Sequence, residues 1–289
     1  MFSGSLVALI TPFSNGKIDY KTLEELIDFQ LESGTDGIVP VGTTGESPTL
    51  THEENKKIIE FVVKTVDGQI PVIAGTGSNS TAEAIDMTEY ARKVGADASL
   101  QVTPYYNKPT QEGFYQHFKM IAEEVNLPVV LYNIPGRCAA GMTAETIIRL
   151  SEIENIVAVK EATGSLDIAS DIAGNCDLNI LSGDDSLTLP LASVGAKGVI
   201  SVVANIVPAD VKAMTDLILQ GDLVSARKWH QKLFTLSKSL LSMSTNPIPI
   251  KAAMEILDMA PEELRLPMTP LAESRKNELK KILKDYGLL

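Results

Sequence analysis

The sequence predicts a (β/α)8 barrel, and two observations support this fold class. Short apolar or β-branched runs alternate with longer segments of helical period through eight cycles, which is the pattern of parallel strands joined by helices. A chain of 289 residues with 44% hydrophobic residues is also long enough to bury the core of one barrel-sized domain. The predicted strands are 6–10, 37–41, 71–74, 98–102, 128–132, 156–160, 179–181 and 198–202.

The segments between the strands carry apolar residues three and four positions apart with charged residues on the other face, as expected of helices packed on a sheet. Thr51 and Thr143 precede acidic residues and are suited to cap the helices that follow, because a hydroxyl can accept a hydrogen bond from an unpaired backbone N–H. The predicted helices are 20–33, 52–66, 81–94, 111–125, 143–151, 165–173 and 186–194.

After the eighth strand the chain contains more helical sequence than one closing helix requires, at 209–220, 223–242, 248–257 and 274–284. We therefore predict a catalytic barrel over residues 1–224 and a helical C-terminal extension over residues 225–289. The sequence has no Pro-, Gly- or Ser-rich linker before the extension, so we expect it to pack on the flank of the barrel or at a subunit contact.

Composition and charge exclude several classes of function. The formal net charge of -12 and the pI of about 4.8 argue against binding to nucleic acid or anionic membranes, because phosphate contacts require clustered Lys and Arg. The first apolar run is short and no basic segment precedes it, so neither a signal peptide nor a membrane span is expected. Cys138 and Cys176 lie far apart, which indicates reduced thiols in a cytoplasmic protein. His52, His117 and His230 are scattered without metal-ligand spacing, so we expect neither a metal nor a cofactor.

Lys160 is the first candidate for chemistry, since it stands at the end of the predicted buried strand 156–160. Barrels of this class carry their chemistry on the loops that follow the strands. A lysine desolvated at that end is neutral often enough near pH 7 to attack a carbonyl and form a Schiff base. The alternative is a structural lysine that extends its amine to solvent at the sheet edge.

The glycine-bracketed turn 42–47 follows the second strand and would present backbone N–H groups and the hydroxyls of Thr43 and Thr44. Such a nest suits a small anion such as a carboxylate or a phosphate, although a plain glycine turn has the same composition. The segment 75–80 lacks the third small residue of a dinucleotide-binding fingerprint, so we reject that function.

The fifth strand is followed by two further candidates. Tyr132 at its end is expected beside Lys160, where its hydroxyl could transfer a proton, although a lone tyrosine is more often part of the core. Arg137 follows a Pro-Gly turn at the barrel mouth, where its guanidinium could hold a substrate carboxylate. A solvated surface arginine is the alternative.

Together these residues resemble the dihydrodipicolinate synthases, within the pyruvate-dependent class I aldolase group that also contains N-acetylneuraminate lyase. The resemblance extends from the first strand to about residues 246–249. The motifs that carry it are Gly42-Thr43-Thr44-Gly45-Glu46, Tyr132-Asn133-Ile134-Pro135-Gly136-Arg137, Val159-Lys160-Glu161-Ala162-Thr163-Gly164, Ser182-Gly183-Asp184-Asp185 and Gly198-Val199-Ile200-Ser201-Val202.

The resemblance implies that Lys160 forms an imine with pyruvate and that the enamine attacks L-aspartate 4-semialdehyde, in lysine and diaminopimelate biosynthesis. It implies that Arg137 binds the semialdehyde carboxylate. Tyr132, Thr43 and Tyr106 would form a hydroxyl relay, with Tyr106 reaching in from a neighbouring subunit of a homotetramer. The remaining substrate-binding residues would be Thr44, through its backbone, and Gly183 and Ile200, through their carbonyls.

The resemblance also implies a site for L-lysine, the end product, between subunits. The matching positions are Ser47, His52, Asn79, Glu83 and Tyr105, and Pro48 and Asn55 depart from the commonest pattern of inhibited members. Two alternatives for function stay open: another pyruvate-dependent aldolase, or a barrel that senses a metabolite without turnover.

Overall fold

The structure, a computed structural model, describes residues 2–289. Within that range eight parallel strands form one barrel sheet, each beginning and ending within two residues of its predicted position. The strands are β1 Gly4–Ala8, β2 Gly37–Val39, β3 Ile73–Gly75, β4 Ala98–Val102, β5 Val129–Asn133, β6 Ile156–Glu161, β7 Asn179–Ser182 and β8 Gly198–Ser201.

The order of the strands confirms the barrel. Neighbouring strands in the sheet follow β2-β1-β8-β7-β6-β5-β4-β3, and a parallel bridge between Ile38 and Val72 joins the two end strands. In the register of β5 with β6, Tyr132 lies opposite Lys160. All eight strands are parallel, so their carboxyl ends meet at one face, which is where barrels of this class carry their sites.

Alternation along the strands decides which side chains enter the barrel. Val130 and Tyr132 of β5 belong to the interior cluster, whereas Val129 and Leu131 pack outward against the helices. The same period of two on β6 places Ala158 inside and Val159 outside. The same alternation directs Lys160 on β6 into the barrel, beside the inward-facing Tyr132 on β5.

Several helices begin where a side chain satisfies one of the first backbone N–H groups, as at Thr51, whose hydroxyl accepts from Glu54 N at 3.2 Å in a capping box. Those that follow the barrel strands are α1 Tyr20–Glu32, α2 His52–Val66, α3 Thr81–Val94, α4 Gln111–Glu124, α5 Ala144–Leu150, α6 Leu166–Asn175, α7 Thr188–Ala192 and α8 Pro208–Leu219. Several short elements were not predicted. A 3-10 turn Asp185–Leu187 precedes a shortened α7, a one-turn helix spans Pro135–Cys138, and a short hairpin pairs Phe13–Ser14 with Lys17–Ile18. Two further 3-10 turns span Ser47–Thr49 and Val203–Asn205.

Three helices follow α8, namely α9 Leu223–Ser242, α10 Ile248–Ile256 and α11 Glu273–Tyr286, in the part of the chain that the structure describes. The α10 helix is unusual because residues 248–254 are all buried, including the charged Lys251. A helix that is buried on all sides lies inside the molecule rather than on its surface. Among the helices of residues 2–289, none is long and apolar enough to cross a membrane.

Candidate active site

Lys160 is buried at the carboxyl end of β6, with 5% of its surface exposed. Its Nζ lies 4.3 Å from the centroid of the Tyr132 ring. Burial lowers the pKa of Lys160 to about 7; the charge of Asp185 opposes this shift and the charge of Arg137 adds to it. A large fraction of the amine is therefore neutral and nucleophilic near neutral pH.

A cavity of about 180 Å³ opens above Lys160 at the carboxyl ends of the strands. It brings together six of the residues that the sequence predicted for substrate binding and catalysis, from five different loops and strand ends. Ile200 is placed in the barrel interior on β8, whereas Val202 lines the cavity. The six predicted residues at the cavity are Thr43, Thr44, Tyr132, Arg137, Lys160 and Gly183.

The turn that carries Thr43 and Thr44 has a fixed shape. Glu46 N donates to the Thr43 carbonyl at 3.1 Å, and the Thr44 hydroxyl accepts from Asn246 Nδ2 at 2.9 Å. Gly45 is required because a Cβ there would approach the Val41 backbone to 3.0 Å. Val41 and Glu46 both have positive φ, of 48° and 54°, so the turn is held in a conformation that side chains disfavour.

Tyr132 faces Lys160 with 5% of its surface exposed. Burial raises the pKa of Tyr132 to about 12, although the charge of Arg137 and the Thr43 hydroxyl act in the opposite direction. The phenol therefore keeps its proton at neutral pH and can donate it or accept another in a hydrogen bond.

Arg137 stands on the one-turn helix Pro135–Cys138 at the mouth of the cavity. Its Nη2 donates to the Asn246 carbonyl at 3.2 Å. The loop that carries it is anchored by Asn133, whose side chain accepts from Met142 N at 3.0 Å and donates to the Met142 carbonyl at 3.1 Å. The guanidinium is thus directed by backbone contacts and keeps donors for a planar anion.

The sequence argument did not assign Asp185 to the site. Its carboxylate accepts from the Ser201 hydroxyl at 2.5 Å and from the backbone N–H groups of Val202 and Val203 at 2.9 and 3.1 Å. Burial nevertheless raises the pKa of Asp185 to about 6. The sequence did hold a signal for Asp185, since it is the second of two consecutive acidic residues close after a buried strand.

Among residues 2–289 no group of three or more His, Cys, Asp or Glu could hold a metal.

Asn246 was also not predicted as a site residue, although it contacts both Thr44 and Arg137. It lies between α9 and α10, about 200 residues from Thr44 in the chain. No local pattern marks such a residue, because its contacts depend on where the C-terminal helices pack.

A second, more open cavity of about 420 Å³ adjoins the first and shares Thr43, Ile134 and Arg137 with it. Asn79 lies beside this larger cavity and donates to the Tyr105 carbonyl at 3.1 Å. The other predicted lysine-site residues, together with both departures from the family pattern, line it: Ser47, Pro48, His52, Asn55, Glu83 and Tyr105.

Tyr106 is not brought to the cavity of its own chain. It lies in the loop after β4, is 90% exposed, and has a left-handed backbone with φ of 72°. Tyr106 is therefore the one predicted catalytic residue that the structure does not bring beside Lys160.

A buried lysine with a pKa of about 7, beside a tyrosine at the carboxyl end of a (β/α)8 barrel, defines the Schiff-base, or class I, aldolases. The chain belongs to the dihydrodipicolinate synthetase family, whose model matches residues 1–286. It is 52% identical to a 4-hydroxy-tetrahydrodipicolinate synthase of Geotalea daltonii, with 100% of both chains covered. It is 54% identical to one of Methanococcus aeolicus, with 99% of both covered. The crystal structure of dihydrodipicolinate synthase from Aquifex aeolicus superposes with a TM-score of 0.97 at 51% identity, covering 99% of both chains.

Lys160→Met should raise the free energy of unfolding, because the folded protein would no longer bury an amine whose pKa is lower than in the unfolded chain. Between pH 7 and 10.5 the unfolded chain binds more protons at this position, so the cost of Lys160 is largest near and below pH 7 and declines as pH rises. We expect a gain on the order of 4 to 5 kcal/mol at about pH 6.5 that is roughly halved at about pH 9.

Urea unfolding at the two pH values measures this gain. The matched control is Lys197→Met, which changes an exposed lysine directly before β8, at the face of the barrel opposite Lys160. It should give no pH-dependent gain. Equal gains for Lys160→Met at both pH values would contradict the lowered pKa.

Proposed function

We propose that the protein is a 4-hydroxy-tetrahydrodipicolinate synthase that condenses pyruvate with L-aspartate 4-semialdehyde through a Schiff base on Lys160. The observation that carries the proposal is the buried Lys160 amine, with a pKa of about 7, beside the Tyr132 ring at a cavity of about 180 Å³. The volume suits two small substrates joined in sequence rather than a nucleotide or a long chain.

In the first step the neutral Lys160 amine attacks C2 of pyruvate. The resulting carbinolamine loses its hydroxyl as water and leaves a protonated imine. Tyr132 is placed to supply and recover these protons, since burial keeps its phenol protonated and the Thr43 hydroxyl lies close to it. We infer that the relay is completed by Tyr106 from a second subunit.

The protonated imine makes the pyruvate methyl group acidic, and loss of one methyl proton gives the enamine. The enamine carbon attacks the aldehyde carbon of the semialdehyde, and the aldehyde oxygen takes up a proton to become the 4-hydroxyl group. The substrate amino group then attacks the imine carbon, which closes the ring and expels the Lys160 amine.

The substrate carboxylates require fixed partners. We infer that the Thr43-Thr44 turn holds the pyruvate carboxylate through backbone N–H groups. Gly183 and Ile200 would line the same region with carbonyls. A side chain at Gly183 would bring its Cβ within 2.6 Å of the Ala162 Cβ and 3.3 Å of the Lys160 Cε, so only glycine leaves room for the imine.

The test combines turnover with trapping. A coupled assay with both substrates is run beside borohydride reduction of the pyruvate adduct and peptide mapping. We expect turnover and a reduced adduct on Lys160, whose rate of formation rises with pH as the amine with pKa of about 7 loses its proton.

Lys160→Ala is the control and should show no adduct. An adduct without turnover would favour another pyruvate-dependent aldolase, and binding of pyruvate without an adduct would favour a sensing barrel. Either result would contradict the proposed function.

Arg137→Ala should raise the KM for the semialdehyde by about tenfold or more, because the carboxylate of the semialdehyde would lose a charge-assisted hydrogen bond. Formation of the pyruvate adduct should be unchanged. Arg149→Ala is the matched control, since this exposed arginine pairs with Glu112 away from the cavity. Equal loss of adduct formation and semialdehyde use would contradict the assignment.

We further propose that L-lysine binds the cavity of about 420 Å³ and inhibits the enzyme. Support comes from the side chains that line it: Glu83 offers a carboxylate for an ammonium group, and His52 and Tyr105 offer polar contacts. These three residues are exposed in the single chain, as expected if a second subunit closes the site. The shared wall residues Thr43 and Arg137 would connect this site to catalysis.

Glu83→Gln should weaken inhibition by L-lysine by about tenfold or more, because the carboxylate partner of its ammonium is lost. Glu89→Gln on the same helix is the matched control, since Glu89 pairs with the exposed Arg92. Steady-state rates at increasing lysine measure both. Wild-type activity that persists at millimolar lysine would contradict regulation by this site.

The proposed assembly is a homotetramer in the cytoplasm, built from dimers that exchange Tyr106. The exposed aromatic side chains of Tyr105 and Tyr106, 40% and 90% accessible, support a subunit contact at this edge. Residues 1–224 are proposed as the catalytic barrel and residues 225–289 as its helical extension. The mass in solution, compared with 31.1 kDa for one chain, tests the assembly.

A further inference from the structure

A buried ion pair connects the C-terminal helices to the turn that carries Thr43 and Thr44. Lys251 of α10 is fully buried and its Nζ pairs with a carboxylate oxygen of Glu46, which is itself only 2% exposed. The same Nζ donates to the Glu263 carbonyl at 2.8 Å and lies 4.2 Å from the centroid of the Phe13 ring. No residue of this pair reaches the substrate cavity, so the proposed reaction does not use it directly.

Glu46 is the last residue of the turn, and its backbone is left-handed with φ of 54°. Its N–H donates to the Thr43 carbonyl at 3.1 Å, and its second carboxylate oxygen accepts from Arg265 N at 3.1 Å. The side chain and the backbone of Glu46 are therefore both fixed. Because a glutamate in this conformation is disfavoured in isolation, its surroundings must hold it there.

Arg265 extends the cluster outward. Its guanidinium donates to Glu54 at 2.7 and 2.8 Å, to the Thr49 carbonyl at 3.2 Å and to the Gly16 carbonyl at 3.1 Å. These contacts join the segment after α10 to the residues that follow the turn and to the hairpin at Gly16. The segment that follows Glu46 is thereby anchored as well.

A buried ion pair is a poor device for stability alone, because apolar residues of similar volume often serve as well. A charge pair does fix the orientation of its two side chains, and removal of either partner leaves the other charge buried and uncompensated. Here the pair holds the Glu46 side chain while the Glu46 backbone closes the turn on Thr43. Asn246, which donates to the Thr44 hydroxyl, supports the turn from the same part of the chain.

We propose that Lys251 and Glu46 form a positioning pair that fixes the 42–46 turn, so that Thr43 and Thr44 meet pyruvate beside Lys160. The C-terminal helices are then required for the geometry of the site and not only for the fold. The proposal deepens the proposed function and rests on it.

The test uses the full-length protein and three variants, Lys251→Met, Glu46→Gln and the double variant. Because a misplacement of about 1 Å can cost about 100-fold in rate, Lys251→Met should lower kcat/KM for pyruvate by about 10- to 100-fold. It should slow borohydride trapping of the Lys160 adduct in parallel. Glu46→Gln keeps the shape of the side chain and should lower kcat/KM by at least about threefold. The double variant should recover part of the loss of Lys251→Met, because no unpaired charge stays buried.

Lys276→Met is the matched control, since it removes the ion pair of Lys276 with Glu262 in the same C-terminal region but away from the turn. It should lower the Tm and leave kcat/KM for pyruvate unchanged. Folded Lys251→Met and Glu46→Gln that behave like this control would overturn the positioning role. If Lys251→Met does not fold, Glu46→Gln decides between the two results. The wild-type adduct and turnover are measured in the same series, so an inactive wild type would instead remove the proposed function and this inference with it.

Discussion

Desolvation of the Lys160 amine is the constraint on which the rest of the site depends. A shift from 10.5 to about 7 corresponds to roughly 5 kcal/mol that the folded protein gives up to hold a charged amine there. The fold tolerates this loss of free energy because the packed apolar side chains of the barrel interior stabilise the sheet around the lysine. The amine gains reactivity through the same burial that makes it costly.

Two charges near Lys160 act on its pKa in opposite directions. Asp185 favours the protonated amine, whereas Arg137 disfavours it, and both are placed by backbone contacts rather than by each other. Asp185 is tied to the end of β8, and Arg137 is tied to the link before α10. The electrostatics of one small cavity therefore depend on elements from three distant parts of the chain.

The strand-helix alternation predicted the barrel, and the positions of Tyr132 and Lys160 at the ends of consecutive strands predicted that they are neighbours, as the register of β5 with β6 confirms. Local pattern is sufficient there because parallel strands fix the direction of every side chain. Asp185 and Asn246 were missed because their contacts depend on long-range packing. The helix predicted over 186–194 was too long, since the chain forms a 3-10 turn before α7 and α7 ends at Ala192. Tyr106 does not line the cavity of its own chain, so a single chain leaves its predicted role untested.

The common wall of the two cavities has a thermodynamic consequence. Thr43, Ile134 and Arg137 each face both spaces, so a molecule that shifts any of them from one side alters the free energy of binding on the other. Linkage would make such an effect reciprocal: an occupant of the smaller cavity would change the affinity of the larger one by the same factor. A single layer of side chains thus forms the common boundary through which any such coupling would pass.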